Sequence, residues 1–192
     1  MKKKALVVVA HPDDETIWMG GMILSSKNID WTIFSLCRRN DPDRAPKFKK
    51  VCKYYNAHSL ISDLEDEGIM DIEKSLPEIK KRVMANFAGK KFTYIFTHGY
   101  NGEYGHERHL GVHLAVKELV KEKIIICDKL FFFSYQLEQN TINNSRFSNF
   151  VVELDNQTLI NKKSIIEKIY GFNKDSFESI SCLPKETFIT NL

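Results

Sequence analysis

The chain has 192 residues, 43% of them apolar and 28% charged, with a formal net charge of +3. That length suits one α/β domain spanning 1–192 and is short for two. The composition is that of an ordinary globular protein. Basic residues are spread over 2–4, 47–53, 80–82, 90–91 and 162–163, so no nucleic-acid stripe forms and no nucleic-acid partner is expected. The apolar stretch before His11 is about six residues, too short for a signal peptide or a membrane span. Cys37, Cys52, Cys127 and Cys182 are widely separated with no C-x-x-C pair, which reads as reduced, buried thiols. A cytoplasmic protein is the expectation, and the sequence carries no signal for an assembly state.

In chain order, Leu6-Val7-Val8-Val9-Ala10 reads as a strand buried on both faces, as in a parallel sheet. It ends in His11-Pro12-Asp13-Asp14-Glu15. Pro12 disfavours helix for His11, which places that histidine in the turn leaving the strand's carboxyl end, the edge where open α/β sheets bind ligands. Three acids beside a histidine repel one another unless something positive sits among them, and a divalent metal is the simplest such thing. Residues 15–28 follow as a helix in which Gly20-Gly21 permits close packing on the sheet. Residues 31–36 form the second strand. The polar loop 37–46 places Arg38 and Arg39 where either can fork around a phosphate or carboxylate on a substrate or pair with Asp41 or Asp43.

Residues 47–57 read as a helix and 59–64 as a third strand. Glu65-Asp66-Glu67 is expected as a solvated acidic turn, and His58 as structural. Residues 72–87 have a helical pattern. Pro77, tolerated in a first turn, moves the expected start to about Ser75, and Gly89 ends the helix. Residues 92–97 form another buried strand that runs into a segment from His98 to His109.

Five of the six histidines, at 11, 98, 106, 109 and 113, thus lie on two strand-to-helix segments. If the two strands are parallel neighbours, His11, Asp14 and one later histidine converge on one ion. Three protein ligands and an open position is the arrangement of a catalytic zinc. His109 and His113 share a helix face and are rival third ligands. His109 is favoured, and His113 is assigned to packing or to support of the ligands. Beyond Lys123, residues 130–135 and 150–154 read as strands, 140–144 as an asparagine-rich turn and 159–170 as a helix. The tail has no clear period. No G-x-G-x-x-G occurs, which weakens a dinucleotide reading. The expected fold is α/β: a Rossmann-like three-layer sandwich with a mostly parallel central sheet and helices on both faces.

Ala10-His11-Pro12-Asp13-Asp14-Glu15 and Gly102-Glu103-Tyr104-Gly105-His106-Glu107-Arg108-His109 resemble the PIG-L/LmbE-like deacetylases, zinc-dependent enzymes that remove acetyl groups from N-acetylglucosamine-containing substrates. The resemblance covers roughly the first two thirds of the chain. It implies that His11, Asp14 and His109 ligate zinc or another divalent transition metal, and that Asp13 is the general base. It further implies that His106 assists as a charged partner to the oxyanion and that Tyr104 lies beside the reacting carbonyl. The chain departs from the pattern at Arg108, where many members carry Asp, so no neighbouring carboxylate is implied for His106. The expected partner is a small N-acetylated amino sugar. The competing expectations are a non-catalytic sugar- or anion-binding protein on the same scaffold, and a nucleotide-binding Rossmann domain.

Overall fold

The computed structural model describes residues 2–190. Five parallel strands form its centre: β1 (Lys3–Val9), β2 (Ile29–Cys37), β3 (His58–Leu64), β4 (Lys91–Thr97) and β5 (Ile126–Phe133). Two more extend the sheet, β8 (Phe150–Glu153) and β9 (Lys185–Thr190), in the order β3-β2-β1-β4-β5-β9-β8. Only β9 runs against its neighbours. Side chains of β1 alternate between two cores. Ala5, Val7 and Val9 pack beneath α1 (Asp14–Ser25), α2 (Arg44–Tyr54) and α6 (Asn156–Ser164) with its π-helical continuation 165–170. Leu6 and Val8 pack beneath α3 (Ile72–Phe87) and α5 (Glu107–Lys121). This is the expected Rossmann-like sandwich, with helices on both faces of a mostly parallel sheet. The chain moves from β1 outward to β3 and returns at β4, so the crevice between the carboxyl ends of β1 and β4 is the topological switch point.

Several elements differ from the sequence reading. α2 starts at Arg44, three residues before the expected start. α3 starts at Ile72 because the Asp71 side chain accepts the Lys74 N–H and caps the helix; Pro77 is accommodated inside it, in the second turn. Of residues 140–144 only Asn140 lies in a turn, and 141–144 are a strand. They belong to a hairpin of β6 (Tyr135–Glu138) and β7 (Thr141–Asn144), whose two-residue turn is Gln139-Asn140, both at positive φ (49° and 63°), as the twist of a tight hairpin demands. The helix expected over 159–170 begins at Asn156 behind an Asp155 cap. The tail contains α7 (Phe177–Ile180) and β9. Their signal was hidden because a four-residue helix and a strand between two partners both lack a readable period.

The helix α1 is kinked at Met19 (φ −149°), and three backbone groups around the kink take side-chain partners. Tyr135 donates its hydroxyl to the Trp18 carbonyl (2.7 Å). The Gly21 and Met22 N–H groups donate to the two Glu186 oxygens (2.7 Å each). Glu186 is fully buried and paired with the equally buried Lys162 (2.7 Å). Gly20-Gly21 serves this junction and not the sheet: an added Cβ at Gly20 would meet the Tyr55 hydroxyl at 2.9 Å, and one at Gly21 would meet Leu154 at 2.3 Å. Lys162→Met strands the Glu186 charge in the core, and urea unfolding is expected to show a loss of about 3–5 kcal/mol.

Candidate metal centre

The strand ends deliver the candidate residues to one place. His11 leaves β1, Arg38 leaves β2, Asp66 follows β3, and His98 follows β4. The short helical turn α4 (Gly102–Gly105) and the start of α5 add Glu103, Tyr104, His106 and His109. They surround one end of a cavity of about 400 Å³ whose lining includes His11, Asp13, Asp14, Tyr104 and His106.

The hydrogen bonds on the far side of each imidazole determine which nitrogen faces inward. His11 Nε2–H donates to Asp66 Oδ1 (2.9 Å), which leaves Nδ1 facing Asp14 and His109. His109 Nδ1–H donates to Glu103 Oε2 (2.6 Å) and leaves its Nε2 lone pair inward. His98 Nδ1–H donates to the same Glu103 oxygen (2.8 Å), while its Nε2 accepts the Ala10 N–H (3.0 Å); both ring nitrogens are spent. His106 Nδ1 accepts the Arg108 N–H (3.2 Å) as the cap of α5, so the neutral ring carries its proton on Nε2. His113 is occupied with the His98 carbonyl (3.0 Å) and packs on Phe132.

Three donor groups therefore remain: His11 Nδ1, His109 Nε2 and the Asp14 carboxylate. The nitrogens are 3.3 Å apart; His11 Nδ1 lies 3.4 Å from Asp14 Oδ2 and His109 Nε2 lies 3.4 Å from Asp14 Oδ1. A tetrahedral zinc with bonds of 2.0–2.1 Å has ligand–ligand edges of about 3.3–3.4 Å. Ligand atoms close enough to share an ion occur as Asp14 with His98 and His109, and as His11 with His106 and His109, so the buried histidine–aspartate cluster is compatible with a divalent metal ion. Burial pushes the Asp14 carboxyl up, but His109, His98 and His11 outweigh it and hold the group ionised. For Glu103, burial is likewise outweighed by His98 and His109, and its pKa falls to about 2.

Asp13 stands apart from this set. Its φ of +117° is a strained backbone for a side-chain-bearing residue. Its carboxylate accepts from Arg44 Nη1 through Oδ2 (2.6 Å), while Oδ1 has no hydrogen-bond partner among the described residues. Arg44 in turn lies 4.4 Å over the Phe172 ring. Burial and the neighbouring Asp14 raise the Asp13 pKa, partly offset by Arg44 and His11. Burial raises Tyr104 as well, with Asp14 and Asp13 adding to it, so the phenol keeps its proton. Burial, His109 and His11 push His106 down to about 4.

The arginines divide. Arg38 lines the cavity and pairs with Asp66 (2.7 Å). Arg39 pairs with Asp63 (2.7 Å) outside it. Arg108 is buried and reaches the Glu65 carbonyl and carboxylate (2.8 Å each) and the Met70 carbonyl, which fastens the loop carrying Asp66 to α5. The acids at 65–67 are thus not a merely solvated turn: Asp66 holds His11, and Glu65 anchors Arg108 and accepts the Ile69 and Met70 N–H groups. Glu103, Asp66, Arg44, Phe177 and Glu178 were given no site role in the sequence reading. For Asp66 and Arg44 the one available hint is that each follows a parallel strand, and it acquires meaning only once those strands are set beside β1.

A Rossmann-like α/β protein with a metal-type centre at its switch point is the class that fold and site define. A family model described as PIG-L: GlcNAc-PI de-N-acetylase matches residues 6–120, and the chain belongs to that family. Among solved structures it resembles the N,N'-diacetylchitobiose deacetylase from Pyrococcus horikoshii (14% identity, TM-score 0.71, covering 98% of this chain and 84% of that one). It also resembles a teicoplanin deacetylase in its zinc-inhibited form (9%, 0.67, 98% and 98%). A third likeness is to GalB, the 4-carboxy-2-hydroxymuconate hydratase from Pseudomonas putida KT2440 (16%, 0.65, 94% and 83%). At these identities the likeness is one of fold. A comparison with curated protein sequences finds no match.

Two measurements check the centre. Glu103→Gln weakens the hold on two imidazoles, and titration with Zn²⁺ or Co²⁺ is expected to show a 10–100-fold loss of affinity, about the usual cost of losing such support. In the metal-free site burial lowers the His11 pKa, but Asp14 and Asp66 outweigh it and carry it up to about 10. A metal must then displace a proton from His11, so apparent affinity falls with falling pH, by about tenfold per unit below that value; calorimetry in buffers of different ionisation enthalpy reads the released proton.

Proposed function

We propose that the protein is a zinc-dependent hydrolase that removes the acetyl group from an N-acetylglucosamine-type amino sugar or its conjugate. The observation that carries this reading is the set of three inward donors, His11 Nδ1, His109 Nε2 and Asp14, beside a carboxylate, Asp13, that faces the same cavity without joining them. In this reading His11, Asp14 and His109 hold the metal. When bound, such an ion polarises the acyl carbonyl and lowers the pKa of water to about 7.

The remaining steps belong to the chain's own groups. Asp13, anchored on Arg44 through Oδ2, takes a proton with Oδ1 from the water that adds to the acyl carbon, and its raised pKa suits that task. It returns the proton to the amine nitrogen as the carbon–nitrogen bond breaks. The neutral His106 Nε2–H and the protonated Tyr104 hydroxyl supply donors for the oxygen on which charge develops. With its pKa near 4, His106 acts as a neutral donor, and Asp13 carries the proton traffic. Of the two arginines expected to meet a substrate, Arg38 lines the cavity and is paired with Asp66, while Arg39 is paired with Asp63 outside it. No helix among the described residues is long and apolar enough to cross a membrane. Four cysteines that stay free thiols accord with a cytoplasmic site of action.

The test is acetate release from a panel of N-acetylglucosamine conjugates by metal-reconstituted protein, with hydration of 4-carboxy-2-hydroxymuconate, the reaction named for the similar Pseudomonas structure, as the alternative assay. Chelation is expected to abolish acetate release and added zinc to restore it. Asp13→Asn is expected to lower kcat by about 10²–10⁴-fold while zinc still binds. A metal-loaded, folded protein that releases no acetate from any member overturns the reading.

A further inference from the structure

The outer wall of the cavity comes from α7, beyond the family-matched segment, where Phe177 and Glu178 both line the opening. Phe177 stands edge-on to Tyr104 at 4.9 Å and remains 38% exposed. An apolar ring is thus presented to the cavity. Every other carboxylate on the lining is already engaged. Asp13 is paired with Arg44 and Asp66 with Arg38. Asp14 is surrounded by His11, His98 and His109. Asp41 accepts the Asp43 and Arg44 N–H groups at the start of α2 (2.9 and 2.8 Å). Glu178 alone makes no ion pair and no side-chain hydrogen bond among the described residues; its one engaged group outside the helix is the carbonyl that accepts the Cys182 thiol. The cavity therefore presents one uncompensated carboxylate beside one exposed aromatic ring.

We infer that Phe177 and Glu178 form the subsite for the part of the substrate beyond the acylamino group, and that this part is a polyhydroxylated ring that is uncharged or cationic. The inference rests on the reading of the cavity as an amino-sugar site. A pyranose-like ring offers an apolar C–H face, which packs on Phe177, and vicinal hydroxyl or ammonium donors, which a carboxylate accepts in pairs. A phosphate or carboxylate in the same place meets the like charge of Glu178, and the nearby guanidiniums are already neutralised by Asp13 and Asp66. The subsite thus selects against anionic conjugates.

The experiment measures binding of two amines that hold no acetyl group and cannot turn over: a β-linked glucosamine disaccharide and glucosamine 1-phosphate, each titrated into zinc-loaded protein. Wild type is expected to prefer the disaccharide by at least about tenfold. Glu178→Gln is expected to weaken disaccharide binding by about tenfold, the loss of a charge-assisted hydrogen bond, and to narrow the gap. Glu178→Lys is expected to invert it, and Phe177→Ala to weaken the disaccharide more than the phosphate. Thermal melting of each variant confirms folding. Wild-type preference for the phosphate, equal affinities in wild type and Glu178→Gln, or no binding of either amine overturns the subsite. If the binding pattern holds and no acetate is released in the separate turnover assay, the proposed reaction fails and the subsite stands.

Discussion

Two carboxylates, Asp66 and Glu103, determine which face of the His11 and His109 rings carries a lone pair, and the candidate centre depends on that choice. An imidazole can present a donor or an acceptor toward a cavity with the same heavy-atom geometry. Here each outward N–H is bound to an ionised oxygen, so the inward nitrogen of each ring is the one left to bind an ion, His109 Nε2 through its lone pair and His11 Nδ1 on losing its proton. Glu103 serves two rings through one oxygen and also accepts the Gly99 N–H (2.7 Å). Its own backbone lies at a φ of +58°, a cost that the surrounding contacts offset.

The support extends well beyond the rings. Asp66 is held on its loop by Arg108, which crosses from α5 to Glu65 and Met70. An arginine at this position therefore has a structural use, and its side chain is committed away from His106. Beneath the cavity floor, Glu15 joins Thr16 and Tyr170 through one oxygen and the Asp13 N–H through the other. The strained Asp13 turn is thereby tied to the π-helical segment some 150 positions away in sequence. A buried polar network of this kind is costly when incomplete; both Glu15 oxygens are engaged, whereas Arg108 Nη1 is buried without a hydrogen-bond partner among the described residues.

The sheet, the two strand-to-helix segments and the meeting of His11 with His109 were legible because they rest on strong local signals: runs of β-branched residues, a proline after a histidine, and histidines at fixed spacing. Less visible were features that arise only when strands are set side by side. Asp66 reads as one acid in a polar turn until β3 is seen to end on the same edge as β1. Arg44 reads as a surface arginine until Asp13 turns outward to meet it. Glu103 stood in plain view in its motif, but no spacing rule joins a left-handed turn residue to rings on either side of it. The last third was hardest, since α7 is too short for a period and β9 takes its partners from distant segments.

The position of β9 orders the events of folding. It is not an edge strand added last to a finished sheet: β5 lies on one side of it and β8 on the other, and from it Glu186 holds the kinked helix that follows the Asp13–Asp14 turn. During synthesis, the histidine-bearing strands emerge early but rest on an unfinished floor until this last strand slots between its neighbours. Such long-range pairing slows folding, and it couples the setting of the Asp13–Asp14 turn to a strand far from it in sequence.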